Sequence, residues 1–132
     1  MITLRIPGQP VGKGRPRVTR NGTYTPKKTK DYQKLVAAIA ERDAKEYMIG
    51  AIKATIYCYY QIPKSMPKYK RKLVEEGKLH PMVKPDLDNV AKALLDALNG
   101  ICYKDDSQIV ELEISKHYSD DPMVILELLE IE

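Results

Sequence analysis

With 132 residues, the chain can bury one modest core but cannot hold a catalytic domain beside a separate binding domain, so a single domain over residues 1–132 is expected. Its two cysteines, Cys58 and Cys102, are too few for the disulfide scaffold of a small secreted protein and read as free thiols of a reducing compartment. The opening MITLRIPGQP lacks the apolar stretch of a signal peptide and no run approaches bilayer-spanning length, so a soluble, cytoplasmic chain with no membrane partner is expected.

The net charge of +4 is unevenly spread. Residues 1–30 carry eight Lys or Arg and no acid, residues 64–84 carry seven against two Glu, and residues 101–132 carry nine acids against two Lys. Basic segments of this kind attract polyanions, most commonly nucleic acid; the plain alternative is a set of solvated Lys-rich loops.

Along the chain, Ile2, Leu4 and Ile6 alternate with Thr3 and Arg5 as a first strand, ended by Pro7, Gly8 and Pro10. A long basic loop rich in Pro and Gly follows, PGQPVGKGRPRVTRNGTYTPKK, and loops of that length are usually functional or disordered. A helix is expected from a Thr29 cap, with Tyr32, Leu35, Val36, Ile39 and Ala40 on one face, ending before Gly50. Residues 52–62 alternate as a strong strand, with Tyr57 and Tyr59 on a face that could meet a partner or simply face solvent. A second basic loop holds one or two helical turns around Tyr69–Glu76. A second helix over Asn89–Asn99 turns Val90, Ala91, Leu94, Ala97 and Leu98 inward and ends at Gly100. Strands near Ile109–Tyr118 and Val124–Ile131, joined by a turn at Ser119–Pro122, close the chain. The β-α-β-α-β-β order implies an α+β fold, a small mixed sheet with helices on one face.

The richest stretch is KPDLDNVAKALLDALNG, residues 84–100. Asp86 and Asp88 stand two apart where a loop enters a helix, so in extended chain both can point the same way, and Asp88 or Asn89 can cap. Lys92 lies one turn beyond Asp88 on the same face. Adjacent carboxylates repel, and a divalent ion reverses that: Mg²⁺ takes hard oxygen ligands, one or two carboxylates plus water and substrate phosphate. Asp106, preceded by Asp105, would complete the set if the connection after the helix turns back. The plain alternative is capping and turn chemistry alone. Asp96 reads as a helix-surface partner of Lys92 or a packing acid. His80 and His117 lack zinc spacing, and Gly12-Lys13-Gly14 is not a phosphate-binding P-loop.

Three segments carry a resemblance: PGQPVGKGRPRVTRNGTYTP, KPDLDNVAKALLDALNG and YKDDSQI. In this order and spacing the chain resembles the RusA family of Holliday junction resolvases of bacteria and their phages. The resemblance implies a homodimer with two metal sites that cuts two strands of a four-way DNA junction symmetrically. By position it assigns the metal acids to Asp86, Asp88 and Asp106, with Lys92 as the motif lysine and Asn89 and Asp105 in support. It implies Mg²⁺, with Mn²⁺ able to substitute, and no organic cofactor. Lys92 would steady charge on the phosphate in the transition state. Lys13, Arg15, Arg17, Lys27, Lys28 and Lys84 would grip the DNA backbone without reading sequence. Three rivals stand beside this reading. One is a non-catalytic DNA-binding module, another a nuclease acting on other branched DNA or on RNA. A phosphotransferase with a nucleophilic Asp is the third, disfavoured because no buried apolar strand precedes Asp86.

Overall fold

The computed structural model describes residues 1–14 and 17–131, with the backbone alone at 17–19, 23 and 24. Its centre is a four-stranded mixed sheet. Strand β1 (Ile2–Pro7) alternates as its residues dictate, burying Ile2, Leu4 and Ile6. Strand β4 (Ile52–Gln61) buries Ile52, Ala54, Ile56, Cys58 and Tyr60, leaving Tyr57 and Tyr59 half-buried on the opposite face. Strands β5 (Ile109–Ser119) and β6 (Met123–Glu130) complete the spatial order β1-β6-β4-β5. The buried faces of β1, β4 and β6 join the side chains of two helices in one core cluster, with Ile109, Ile114 and Tyr118 of β5 partly buried against it, the α+β arrangement expected.

The last two strands depart from a simple hairpin. β5 runs parallel to β4 and β6 antiparallel to it, so β4 lies between them and the residues 120–122 step across it. A parallel neighbour needs a long crossover, and the segment from Ile62 to Gln108, helix included, supplies it. Within the first basic loop two short strands, β2 (Arg17–Thr19) and β3 (Gly22–Tyr24), form a separate antiparallel ribbon. Arg20 and Asn21 form the turn, and Gly22, the first residue of β3, takes a positive φ of 114° that glycine adopts without strain.

Helix α1 (Lys27–Asp43) starts two residues before Thr29, with Pro26 at the cap position and no side-chain cap. Tyr32, Val36, Ile39 and Ala40 are buried, while Leu35 remains 39% exposed at the edge of the stripe. The helix stops well short of Gly50 because the following segment pairs elsewhere: the Met48 N–H donates to the Cys102 carbonyl. Helix α2 (Lys68–Glu75) buries no residue, and helix α3 (Leu87–Ala97) buries Val90, Ala91, Ala93, Leu94 and Leu95. Among the described residues, no helix is long and apolar enough to cross a membrane. Both thiols are free and buried, and burial pushes Cys102 up to about 11 and Cys58 up to about 12.

Candidate active site

The site is built around the N-terminal end of α3. Asp86, rather than Asp88 or Asn89, occupies the cap position with extended backbone, and its side chain makes no capping bond to the helix. Its carboxylate is exposed, as are Asp88, Asn89 and Lys92 along the outer face of the first turns. The buried face of α3 fixes the other side of the helix in the core. A further tie comes from the central strand: the Tyr60 hydroxyl donates a 2.6 Å hydrogen bond to the Pro85 carbonyl. An N-terminal helix end carries partial positive charge and suits anionic ligands.

The first basic loop lies across this end. The Lys13 N–H donates to the Asn89 carbonyl at 2.9 Å. Gly12 passes so close that a Cβ there would stand 2.8 Å from the Pro85 Cβ and 3.1 Å from the Asn89 Cβ. Thr29 does not cap α1; its buried hydroxyl accepts from the Gly14 N–H at 2.9 Å and donates to the Gly12 carbonyl at 3.3 Å, clamping the loop to α1. A cleft of about 550 Å³ results, lined by residues 10–13, Lys28, Lys84, Pro85, Asp86 and Asn89. Lys13, Lys28 and Lys84 thus share one cleft with Asp86 and Asn89. Lys27 is exposed in the first turn of α1 outside that lining. Arg15 and the side chain of Arg17 lie outside the described residues.

Asp106 is positioned elsewhere. Asp105 caps a single 3-10 turn, Asp106–Gln108, accepting from the Ser107 N–H, and Gln108 returns a bond to the Asp105 N–H. The Gln108 amide also donates to the Met48 and Gly50 carbonyls, which pins this turn to the segment preceding β4. The connection after α3 brings Asp106 to Asp96 in the last turns of the helix, not into a metal-holding group with Asp86 and Asp88. Cys102 and Tyr103 are buried, and the Tyr103 hydroxyl donates to the Leu95 carbonyl at 2.6 Å, holding the chain against the C-terminal end of α3. Ten residues of helix place that end roughly 15 Å from Asp86 along the axis. Among the described residues, no three Asp, Glu, His or Cys side chains are grouped to hold a metal ion.

Asp106 instead meets Asp96. Their side chains lie against one another, and that contact, with burial and the neighbouring charges of Asp96 and Asp105, raises Asp106 from its ordinary value. Burial alone would raise Asp96 too, but the hydrogen bond from Lys13 and the contact with Asp106 outweigh it and hold Asp96 low. The Lys13 ammonium lies 2.5 Å from Asp96. The long-range partner of Asp96 is therefore Lys13, with Lys92 close enough to add its charge. Sequence reading took Asp96 for a helix-surface partner of Lys92 or a packing acid, missing Lys13, and passed over Tyr60. The Asp88–Lys92–Asp96 line points to Lys92, and only the fold brings in Lys13 from the basic loop. Tyr60 reads from sequence only as a strand residue.

Two comparisons bear on this geometry. The family described as Endodeoxyribonuclease RusA matches residues 7–129. The chain is also 40% identical over 137 residues, covering 98% of this chain and 96% of the relative, to a Bacillus subtilis (strain 168) protein named Uncharacterized protein YqaN. The matched span contains the basic loop, the α3 acids and the Asp105–Asp106 turn, and the chain belongs to the RusA endodeoxyribonuclease family.

Proposed function

We propose that the protein is a homodimeric, Mg²⁺-dependent endodeoxyribonuclease that resolves four-way DNA junctions by paired, symmetric phosphodiester cleavage. The observation that carries this reading is the cleft where Lys13, Lys28 and Lys84 face Asp86 and Asn89 at the N-terminal end of α3, in a chain of the RusA family. Three lysines around one concave surface attract phosphate and neutralise it as bound counterions leave. An exposed carboxylate beside them repels DNA unless a cation lies between, so its presence there favours metal-assisted chemistry over binding alone.

Oxygen donors of this set suit Mg²⁺ in kind. Asp86, Asp88 and Asp106 would hold it, although among the described residues they do not stand grouped in one protomer. When bound, the ion would polarise the scissile phosphate and lower the pKa of a water. The chain's own residues do the rest. Lys13, Lys28 and Lys84 seat the backbone, Asn89 orients phosphate or carboxylate, and Lys92 stabilises charge building on the phosphoryl oxygens. A two-fold protein matches the two-fold symmetry of a four-way junction, which pairs the two cuts.

The test is cleavage of a synthetic four-way junction by purified protein with Mg²⁺, with linear duplex and a matched RNA junction in parallel. Paired nicks confined to the DNA junction are expected. Tight junction binding with no cleavage would favour a non-catalytic DNA-binding protein, and cleavage of the RNA would widen the substrate class.

A further inference from the structure

Asp96 is half-buried near the C-terminal end of α3 and touches two elements remote from it in sequence. Lys13, 83 residues away on the basic loop, places its ammonium 2.5 Å from one oxygen. Asp106, on the turn before β5, sets its carboxyl against the same side chain. An ion pair with Lys13 alone would suffice to fasten the loop. Contact between two carboxyls works against that fastening, because like charges repel. The cost is offset here by Lys13 and by the nearby charge of Lys92. All three neighbours of Asp96 are residues that the proposed reading places in DNA binding or hydrolysis.

We infer that Asp96 is a positioning residue for the cleavage reaction: it sets the Lys13 ammonium and the Asp106 carboxyl against one another, and so links the loop that seats the phosphate backbone to the third acid. This rests on the proposed function. One side chain fixes two functional groups from separate segments, which neither segment could do by itself. The Lys13 backbone reinforces the link, because its N–H is bonded to Asn89 on the same helix. Lys13 therefore spans α3 from the cleft at Asn89 to Asp96, one end held by backbone and the other by charge. Loss of a supporting partner behind a metal or phosphate ligand typically costs 10–100-fold in activity or metal affinity.

The experiment compares wild type with Asp96→Ala, Asp96→Asn and Asp96→Glu. Single-turnover cleavage of a four-way junction is measured at saturating protein across Mg²⁺ concentrations, alongside junction binding in Ca²⁺ and thermal unfolding. Asp96→Ala is expected to lower the cleavage rate at saturation by roughly 10–100-fold and to raise the half-maximal Mg²⁺ concentration. Junction affinity in Ca²⁺ should change much less than the rate. Asp96→Asn keeps the contact to Asp106 but not the charge for Lys13, and falls between; Asp96→Glu regains part of the loss. Equal rates and equal Mg²⁺ midpoints in wild type and Asp96→Ala would overturn the inference and leave the proposed function standing. Loss that tracks unfolding alone, with unchanged activity per folded molecule, would overturn it too. A wild type that never cuts the junction would overturn both.

Discussion

The Tyr60 hydroxyl and the Pro85 carbonyl are joined at 2.6 Å across the boundary between sheet and active site. Tyr60 sits in the central strand with its ring buried and the Lys116 ammonium 5.2 Å from the ring centroid. Pro85 immediately precedes the Asp86 cap. The bond thus refers the position of Asp86 to a strand paired on both sides within the sheet. Tyr60→Phe keeps the ring and removes the tie. It is expected to cost about 1 kcal/mol of stability and to slow cleavage several-fold, with junction affinity preserved. Thermal unfolding and single-turnover rates would show this; an unchanged rate would make the bond purely structural.

Gly12 has no space for a side chain. Gly12→Val would press on the Pro85 ring and on Asn89, and neither neighbour is the far end of a flexible chain. The loop must lift, breaking the Lys13 bond to Asn89. Both junction affinity and cleavage should fall about tenfold or more, with a stability loss of about 1–3 kcal/mol, as for other overpacked sites. A variant that binds and cuts normally would show that the loop need not lie on α3.

Asp86→Asn and Asp88→Asn are each expected to reduce cleavage at least a hundredfold, beyond the roughly 10–100-fold loss seen for outer-shell partners. Binding should hold or tighten, because a negative charge beside phosphate is gone. Gel-shift titration with the same junction separates the two effects. Substantial cleavage by either variant would remove that residue from the ligand set.

Much of this was legible in the sequence, for physical reasons. Strand alternation at Ile2–Ile6 and 52–62 and the helical spacing of Val90, Ala91 and Leu94 reflect burial, which local periodicity records directly. The acids at Asp86 and Asp88 follow from a helix entry marked by Pro85. The position of β4 between β5 and β6 was not legible, since a three-residue turn reads as a hairpin whether or not its strands pair. The meeting of Asp106 with Asp96, beside the buried Tyr103 and its bond to Leu95, is a tertiary contact with no local signature. The Lys13–Asp96 pair joins residues 83 apart, and no spacing rule reaches that far. Thr29 looked like a cap because Thr caps many helices; its hydroxyl is instead used on the loop.

Charge in the cleft has a salt signature. Lys28→Glu with Lys84→Glu removes two proposed phosphate contacts, and each contact contributes about 0.9 to the slope of log affinity against log salt. The slope should flatten by about two units, with cleavage partly recovered at low salt. Filter binding across salt concentrations would measure it. An unchanged slope would place both lysines off the DNA.

Metal dependence has its own expected pattern. Mg²⁺ and Mn²⁺ should support cleavage, while Ca²⁺, larger and looser in geometry, should support binding without hydrolysis. Removal of metal with excess EDTA should abolish cleavage and be reversed by Mg²⁺. Full activity in EDTA would contradict a metal-assisted reaction.

The most direct test of the central claim is a sequencing-gel map of cuts on a four-way DNA junction labelled on each strand in turn, in Mg²⁺, beside the matched linear duplex. The account predicts paired cuts at symmetry-related positions in two opposing strands and an intact linear duplex. Cuts in one strand only, or equal cutting of junction and duplex, would contradict it.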